Sequence, residues 1–264
     1  MNSGRDPSPP SEESGPVLLC SHALGNDPAL DLTTEEIFLS AGASALFIYR
    51  WNRPVLVLGY GQETGDVDLE FCRSRKIPVL RRISGGTGVF HNGDLSISLS
   101  LPPNHSWAST IGSLYARFVE VLFSTLNPRV AHLSPSEGSD SSSTVRSPIC
   151  FEDYRSETIL IGGKKAIGCA QARRKSGTLI HGTLLLHQDP ALYARVFGVR
   201  EERVARSIAP IPLEENEIPD LIKDLTGAFS DALQIPCRSM DPPEIPEELK
   251  TRYLSVRWNP LFEA

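Results

Sequence analysis

The 264-residue chain predicts an α+β domain built on a mixed, largely antiparallel sheet flanked by helices. Helical and strand patterns follow one another irregularly, which argues against the strict strand–helix–strand order of a doubly wound sheet. The run "LSISLSL" alternates apolar and polar residues with the period of a strand. The segment "ETILIGGKKAIGCAQARRKSGTLIHGTLLL" is typical of three successive strands. The chain length suits one large domain, or one domain with a small appendage.

Two segments are too polar to join this domain. Residues 1–16 are mainly Pro, Ser, Gly and Glu, and residues 134–147, "SPSEGSDSSSTVRS", carry almost no apolar side chain. Such compositions cannot bury enough apolar surface to offset the entropy lost on folding. We therefore expect a disordered tail over residues 1–16 and a folded domain over residues 17–264, interrupted by a mobile polar insertion at 134–147.

Capping residues and apolar periodicity predict four helices. Asp27 and Pro28 suit the cap and first position of the first helix, and Asp189 and Pro190 suit those of the third. The expected core-facing residues of the first helix are Leu30, Ile37, Phe38, Ala41 and Ala45. Those of the second are Ile111, Leu114, Tyr115, Phe118, Val121 and Leu122. The fourth helix is marked by Ile218, Leu221, Ile222, Leu225 and Phe229.

The strand predictions rest on alternation and on turn residues. "PVLVLGY" is a short apolar strand. In "LSISLSL" the residues at 95, 97, 99 and 101 are expected to point inward and the three serines outward, as in a half-buried strand. Gly162 and Gly163 can supply the positive φ angles of a tight hairpin, and "RRKSG" predicts the next turn.

Composition narrows the class of function. A formal net charge of −6 disfavours a nucleic-acid binder that relies on neutralising phosphates. We find neither an apolar run long enough to span a membrane nor a signal peptide, so we expect a cytoplasmic protein without membrane partners. The five cysteines are an odd number without a CxxC pair, which predicts free thiols rather than a disulfide framework or a zinc site.

The glycine-rich segment "SGGTG", residues 84–88, is the strongest candidate ligand loop. Consecutive glycines allow backbone N–H groups to approach a ligand that a Cβ would exclude, and Arg81 and Arg82 add positive charge. Such a loop suits an anionic or thioester-bearing ligand, although a plain turn with two solvated arginines is an equal alternative. It lacks the GK[ST] ending of a Walker loop, and a strand follows where a Rossmann fingerprint would open a helix.

The residues around this loop resemble a known family. "RRISGGTGVFHNGDLSISL" is similar to the RR-x-[ST]-GG-x-x-V-x-H signature of lipoate-protein ligases and octanoyltransferases. Further matches follow in family order, namely "DPALDLTTEE", "RPVLVLGYGQ", "GGKKAIGCAQ", "HGTLLL" and "LKTRYLSVRWN", so that the resemblance spans about residues 17–260. It implies a mixed sheet with flanking helices and a tunnel for a medium-chain acyl group, with the glycine loop lying along that chain.

The resemblance also implies which residues bind the acyl group. They are Arg82, Ser84, Gly85, Gly86, His91, Gly168, His181, Gly182 and Thr183. His91 is followed by Asn92, where the family often has an acid, and this histidine acts either as a general base or only as a partner of backbone groups. His181 is expected to line the site without an assigned chemical role. The family implies no metal ligand.

Two residues are expected to carry the chemistry. Lys165 falls on the second basic residue of the family pattern G-[RK]-K-[IV]-x-G, with Ala166 in place of the usual branched residue. The resemblance implies that its ammonium stabilises charge on the acyl carbonyl. Cys150, in "SPICFEDY", resembles the thiol that accepts the acyl group in the octanoyltransferase branch. A generic buried cysteine is the alternative, and Cys169 is a rival nucleophile because a regular strand would place it on the face of Lys165.

The implied function is therefore octanoyl transfer from acyl carrier protein, through a cysteine thioester, to a lysine of lipoyl domains in lipoate biosynthesis. The acceptors would be lipoyl domains of 2-oxoacid dehydrogenases or the glycine cleavage H protein, and no cofactor would be needed. Both kinds of partner tend to be acidic. The basic residues expected to meet them are Arg81, Arg82, Lys164, Arg173, Arg174 and Lys175.

Three alternatives remain at this point. An ATP-dependent lipoate-protein ligase would need ATP and Mg²⁺, form lipoyl-AMP and use a separate accessory domain, for which too few residues follow "VRWN" in this chain. A non-catalytic acyl-binding or scaffold module would retain the acyl group without transferring it. A biotin ligase is disfavoured because the sequence contains no GRGRRG-type loop.

Overall fold

The computed structural model describes residues 16–24, 27–136, 147–152, 158–187 and 189–261. All but the last residue of the expected tail at 1–16, and most of the expected insertion at 134–147, lie outside these residues. Within the described part of the chain, no helix is long and apolar enough to cross a membrane.

Strands and helices alternate irregularly along the described ranges, as expected. The strands are β1 Leu18–Ala23, β2 Ala45–Arg50, β3 Val55–Leu58, β4 Val79–Arg81, β5 Val89–His91, β6 Leu95–Leu101, β7 Leu133–Pro135, β8 Ile159–Ile161, β9 Lys164–Lys165, β10 Ile167–Arg174, β11 Gly177–Leu184 and β12 Cys237–Ser239. The helices are α1 Pro28–Ala41, α2 Leu69–Ser74, α3 Ile111–Leu126, α4 Pro190–Phe197, α5 Glu201–Ser207, α6 Ile218–Leu233 and α7 Glu247–Tyr253.

The main sheet has six strands in the order β10-β11-β6-β2-β1-β12. The pairs β10–β11, β11–β6 and β6–β2 are antiparallel, whereas β1 pairs with β2 and β12 in parallel. Two smaller sheets, β4-β3-β5 and β7-β8-β9, complete the structure. The predicted α+β class with a mixed, largely antiparallel sheet is confirmed.

The main sheet is covered on both faces. Helices α3 and α6 pack on one face, where their apolar residues join Leu46, Ile97 and Ile180 in one core cluster. Helix α1 packs on the other face, where Phe38 and Leu39 contact residues of β2. The interior strands β11, β6 and β2 therefore divide their side chains between two buried environments.

The first helix forms where expected and Phe38 is buried as predicted, but the rest of its predicted inward face is largely wrong: Ala41 is exposed and Ala45 belongs to β2. The Asp27 side chain caps the N-terminus by accepting from the Ala29 N–H at 2.9 Å, and Pro28 occupies the first turn. However, Leu30 is 38% exposed, whereas Glu35 and Glu36 are fully buried. The helix turns these acidic residues inward because each has polar partners there, as described below.

The strand β6 also differs from its prediction. Its leucines and isoleucine face the cluster under α3 and α6, as expected, but its serines are not exposed. Helix α1 and β2 cover that face, and Ser96 Oγ accepts a hydrogen bond from Trp51 Nε1 at 2.8 Å. The alternation in "LSISLSL" marks two different buried faces, because this strand lies in the interior of the sheet.

The predicted three-strand segment contains one more strand than expected. Gly162 and Gly163 adopt positive φ angles of 54° and 79° between β8 and β9, which confirms the hairpin. Ala166 then separates β9 from β10 and bonds elsewhere: its N–H donates to Ile159 O, and its carbonyl accepts from Leu185 N–H. This break lets Lys165 point to a different side from Ile167, although the two are two residues apart.

The expectation that all cysteines are free thiols is wrong for one pair. Cys20 and Cys237 are joined by a disulfide, with their Cα atoms 6.2 Å apart. The parallel pairing of β1 with β12 brings them together across 217 residues of sequence, which no local pattern could reveal. Cys72, Cys150 and Cys169 are not in a disulfide.

Candidate active site

The two arginines before the glycine loop are buried, and both donate hydrogen bonds to backbone carbonyls. Arg82 is 3% exposed and donates to Gly85 O at 2.8 Å, to Thr87 O at 2.9 Å and to Ser84 Oγ at 2.9 Å. The loop is thus wrapped around the guanidinium. The prediction that Arg82 meets acidic protein partners is wrong, because its side chain is enclosed by the loop.

Arg81 fixes the loop to two distant segments. Its Nη1 donates to Gly59 O and Gln62 O, each at 2.7 Å, and its Nε donates to Arg257 O at 3.0 Å. Its backbone N–H donates to Trp258 O at 2.9 Å. Burial and the neighbouring Arg257 charge lower the pKa of Arg81. Its predicted role in partner docking is likewise wrong, since these contacts bury it.

Backbone hydrogen bonds join the glycine loop to the segment that carries Cys150. Gly88 N–H donates to Pro148 O at 2.9 Å, and Cys150 N–H donates back to Gly88 O at 3.0 Å. Gln62 Nε2 also donates to Pro148 O, at 3.1 Å. Cys150 begins a short 3₁₀ turn, Cys150–Glu152, and is 8% exposed. Paired backbone hydrogen bonds therefore hold the candidate nucleophile beside the candidate acyl-binding loop.

An ion pair fixes the other end of the Cys150 segment. Glu152 receives two hydrogen bonds from Arg203 of α5, Nε to Oε1 and Nη2 to Oε2, each 2.6 Å long. Ser147 Oγ donates to Glu152 as well, and it accepts from Ile149 N–H at 3.0 Å. A bidentate pair of this kind fixes orientation as well as distance. The segment is held on both sides of its cysteine.

The structure brings Lys165 to Cys150. Lys165 is 5% exposed, and its Nζ donates to the backbone carbonyl of Cys150 at 2.7 Å. The same ammonium lies 5.7 Å from the centre of the Phe151 ring. A positive group is thereby held within hydrogen-bond reach of the main chain of the candidate nucleophile.

The two candidate nucleophiles lie on opposite faces of β10. A Cβ added at Gly168 would lie 3.5 Å from Cys150 Sγ and 3.1 Å from the Phe151 ring, so this glycine makes room for the Cys150 segment. A Cβ added at Gly182, across the strand pair, would lie 3.2 Å from Cys169 Sγ and 3.0 Å from Phe118 of α3. Cys150 therefore faces the α1 side, and Cys169 faces the α3 side.

A narrow cavity of about 20 Å³ lies at Cys150. Its walls combine apolar and aromatic side chains with a few polar groups, which is typical of small-molecule sites. The predicted site residues in its lining are Arg82, His91, Cys150, Gly168, His181 and Thr183. The aromatic part of the wall comes from Tyr49 and Trp51.

The remaining predicted site residues lie outside this lining. Gly85 and Gly86 border a second cavity of about 190 Å³, which also touches Ile111, Tyr115 and Cys169. Ser84 is fully buried behind the loop, and Gly182 packs against α3. Cys169 borders both cavities. The predicted set is therefore divided: part of it lines the first cavity, Gly85 and Gly86 border the second, and Ser84, Gly182 and Lys165 line neither.

His181 belongs to a buried hydrogen-bond network. Its Nδ1 lies 2.9 Å from Glu35 Oε2, and its Nε2 lies 2.7 Å from Ser84 Oγ. Tyr49 OH donates to Glu35 Oε1 at 3.0 Å, and burial together with the Glu35 charge raises the pKa of Tyr49 well above its usual range. Glu35 was missed at the sequence level, and its only signal was the pair of acidic residues inside "LTTEEIF".

His91 lines the cavity as a neutral aromatic wall. It stacks on Trp51 with ring centres 3.9 Å apart and planes 11° from parallel. Burial first, and then the nearby Arg82 charge, lower the pKa of His91 well below its usual range. Its Nδ1 lies 3.6 Å from Asp94 Oδ2, and burial raises the pKa of Asp94 to about 7.

Within the described ranges, no group of three or more His, Cys, Asp or Glu side chains could hold a metal ion. The polar side chains at the cavity instead belong to an arginine, two histidines, a serine, a threonine and two cysteines, together with a tyrosine and a tryptophan. Such a set can position a carbonyl, supply a nucleophilic thiol and balance charge.

The fold and this site define a class, the catalytic domains that attach lipoyl-type acyl groups to proteins. A crystal structure of lipoate-protein ligase A bound with ATP superposes with a TM-score of 0.69 and 25% sequence identity, covering 90% of this chain and 93% of that one. Residues 27–229 match the model of the lipoyl protein ligase A/B catalytic domain. The chain belongs to this family.

Within the family, the chain is similar to proteins named octanoyltransferase LipM. The protein of that name from Halalkalibacterium halodurans is 23% identical over 88% of this chain and 95% of its own length. The one from Kyrpidia tusciae is 27% identical over 90% of this chain and 96% of its own length. These alignments extend over nearly the whole of both relatives.

Proposed function

We propose that this chain is a cysteine-dependent octanoyltransferase of lipoate biosynthesis that acts in the cytoplasm. It moves an octanoyl group from acyl carrier protein through a thioester on Cys150 to a lysine of a lipoyl domain. The observation that carries this proposal is the hydrogen bond from Lys165 Nζ to the backbone carbonyl of Cys150, 2.7 Å long, at a cysteine that lines a cavity. Relatives of matching length are named octanoyltransferases, which supports the same reaction.

In the first half of the reaction, the Cys150 thiolate attacks the octanoyl thioester carbonyl. Lys165 stabilises the oxyanion that forms, and the carrier-protein thiol departs with the proton that Cys150 lost. Exchange between two thioesters is nearly isoenergetic, so the step needs no energy source. In the second half, a deprotonated lysine amine of the lipoyl domain attacks the octanoyl-Cys150 carbonyl. An amide forms, and the Cys150 thiol is regenerated when the amine proton is transferred to sulfur.

The loop and the two cavities supply the acyl-binding surface in this proposal. Arg82 and Ser84 hold the loop, Gly85 and Gly86 border the larger cavity, and the His91 ring forms part of the smaller one. The exposed basic residues Lys164, Arg173, Arg174 and Lys175 remain the proposed contacts for acidic partners. Residues 17–264 are proposed to form one catalytic domain.

The second candidate is an ATP-dependent lipoate-protein ligase, which the ATP-bound structural neighbour favours. A ligase forms an acyl-adenylate and requires no cysteine nucleophile. The two functions therefore separate on whether acyl transfer depends on the Cys150 thiol or on ATP.

Intact-mass spectrometry tests the proposal. The protein is mixed with octanoyl carrier protein without ATP, and a hydroxylamine-sensitive octanoyl adduct is expected on the wild type and on Cys169→Ala but not on Cys150→Ala. Transfer to a lipoyl domain should then proceed from the isolated adduct. An adduct lost only in Cys169→Ala would reassign the nucleophile. Lipoylation by Cys150→Ala that needs ATP would establish the ligase, and octanoate retained without transfer would establish a binding module.

A further inference from the structure

A continuous chain of hydrogen bonds connects helix α1 to the glycine loop. Tyr49 OH bonds Glu35, Glu35 bonds His181 Nδ1 at 2.9 Å, His181 Nε2 bonds Ser84 Oγ at 2.7 Å, and Ser84 Oγ bonds Arg82 Nε at 2.9 Å. Every side chain in this chain is buried or nearly so, with His181 the most exposed at 12%. Enclosed networks of this kind are costly unless every member is satisfied.

The donors and acceptors fix the proton positions along this chain. Arg82 Nε can only donate, so Ser84 Oγ accepts from it and has its own proton free for His181 Nε2. The Glu35 carboxylate only accepts, so it selects the His181 tautomer that carries its proton on Nδ1. In this tautomer, His181 Nε2 accepts a hydrogen bond from the Ser84 hydroxyl, because Nδ1 donates its proton to a hydrogen bond with Glu35.

The chain continues from Arg82 to the nucleophile. Arg82 Nη2 donates to Gly85 O and Thr87 O, which orients the loop backbone. The next residue, Gly88, exchanges backbone hydrogen bonds with Pro148 O and Cys150 N–H. Glu35 is therefore linked through bonded groups to the main chain of Cys150, although it contacts neither the loop nor the nucleophile segment through any hydrogen bond described above.

We propose that Glu35 is a positioning residue for acyl transfer. It fixes the tautomer of His181, and His181 in turn fixes Ser84 and the Arg82-bound loop in the geometry that presents an acyl carbonyl to Cys150. This inference rests on the proposed function, which supplies the reaction. Misplacing a reacting group by about 1 Å can cost about 10²-fold in rate, so a residue remote from the chemistry can act in this way.

The substitution Glu35→Gln tests the inference because it preserves size and replaces a pure acceptor with a group that can donate. The rate of Cys150 acylation at saturating octanoyl carrier protein should fall about 10–100-fold, with little change in KM. In a long-range ¹H–¹⁵N spectrum, the neutral His181 ring should change from the Nδ1–H to the Nε2–H tautomer. A wild-type rate in Glu35→Gln overturns the inference.

The neighbouring acid provides a matched control. Glu36 is equally buried on the same helix, but it pairs with Arg174 and Arg252, and none of these three residues lines the cavity. Glu36→Gln should lower stability while leaving the acylation rate within about twofold of wild type and the His181 tautomer unchanged. An equal loss of rate in both variants would mean that Glu35 acts only through stability, which overturns the positioning role.

Ser84→Ala provides a second route, which remains usable if Glu35→Gln does not fold. It removes the link between His181 and the loop but leaves the Glu35–His181 bond, so the rate should fall about 10-fold or more with the Nδ1–H tautomer retained. The double variant should be no slower than the slower single variant, because both cut one chain. Additive losses, or a wild-type rate in Ser84→Ala, contradict the inference.

The tautomer measurement needs no substrate, so the two proposals can fail separately. An Nδ1–H tautomer in the wild type without any octanoyl adduct would overturn the proposed function. Normal Cys150 acylation in the wild type and in both single variants would overturn only the role of Glu35.

Discussion

The two faces of β10 have opposite chemistry. On the α1 side, Gly168 leaves space for Cys150, and the surrounding side chains include buried charges that bond one another in a chain. On the α3 side, Ile167 and Cys169 pack into an apolar cluster with Phe118. One strand therefore serves two tasks. Its first face positions the candidate reactive groups, and its second face buries apolar surface, which offsets the free-energy cost of burying polar and charged groups on the first.

The largest expected effect is a difference in octanoyl transfer between the Cys150 and Cys169 variants. Cys150→Ala should reduce octanoyl transfer by about 10⁴-fold or more, because loss of the nucleophile removes the covalent route. Cys169→Ala should retain transfer within about threefold. Single-turnover transfer from octanoyl carrier protein to a lipoyl domain measures both. Equal losses in the two variants would show that the faces are not functionally distinct.

The next effect concerns stability on the α3 side. Phe118 is fully buried, with its ring centre 5.4 Å from that of Phe229. Phe118→Ala should lower the free energy of unfolding by about 3–5 kcal/mol, because it leaves a cavity in the core. Urea denaturation measures this loss. The Cys150 acylation rate of the folded variant should stay within about threefold of wild type, and a much larger loss would tie catalysis to this face.

Substitution of Lys165 tests whether its ammonium group speeds the acylation of Cys150. Lys165→Met keeps the length of the side chain and removes the ammonium, so Cys150 acylation should slow by about 10²–10³-fold. The adjacent Lys164 is exposed and donates to Ala205 O at 2.7 Å, and Lys164→Met is the matched control. Single-turnover mass spectrometry compares the two. An equal effect in both variants would indicate general loss of positive charge.

The smallest effect is a pH dependence of stability on the α1 side. Burial raises the pKa of Asp94 to about 7, above the value of about 3.9 in an unfolded chain. The folded state therefore binds this proton more tightly, and the stabilisation is present at low pH and lost as the pH rises toward 7. The free energy of unfolding should fall by up to about 1.4 kcal/mol per pH unit in this window from this group.

Asp94→Asn mimics the protonated carboxyl and should remove that slope. Urea denaturation at several pH values between about 4 and 7 compares the variant with the wild type. Because other groups titrate in the same range, the informative quantity is the difference between the two slopes. Identical slopes would show that Asp94 does not hold its proton in the folded state.

Local patterns predicted the parts of the fold that depend on near neighbours in sequence. The apolar periodicity gave α3, and paired glycines gave the hairpin at Gly162 and Gly163. The same periodicity misassigned the inward face of α1, because a pattern that scores apolar residues cannot recognise that Glu35 faces His181 from a strand 146 residues away. The serines of β6 were misplaced for a related reason, since alternation cannot tell solvent from a second buried layer.

The site could be predicted in composition but not in arrangement. The family motifs led to Cys150 and Lys165, which the fold brings together, and to residues that line the cavity. They could not reveal that Cys169 lies on the opposite face of β10 from Cys150. A regular strand would place Lys165 and Cys169 on one face, but the strand is broken at Ala166 between them. Nor could they show that both loop arginines are enclosed, since the acceptors of Arg81 include residues 176 positions away.

That last contact has a consequence for synthesis of the protein. Arg81 donates to the carbonyls of Arg257 and Trp258, so the ligand loop acquires its final restraint from a stretch that the ribosome adds 176 residues later. A nascent chain that already contains both Cys150 and Lys165 still lacks this restraint. We therefore expect the proposed active site to become competent only after residues 257 and 258 have been synthesised.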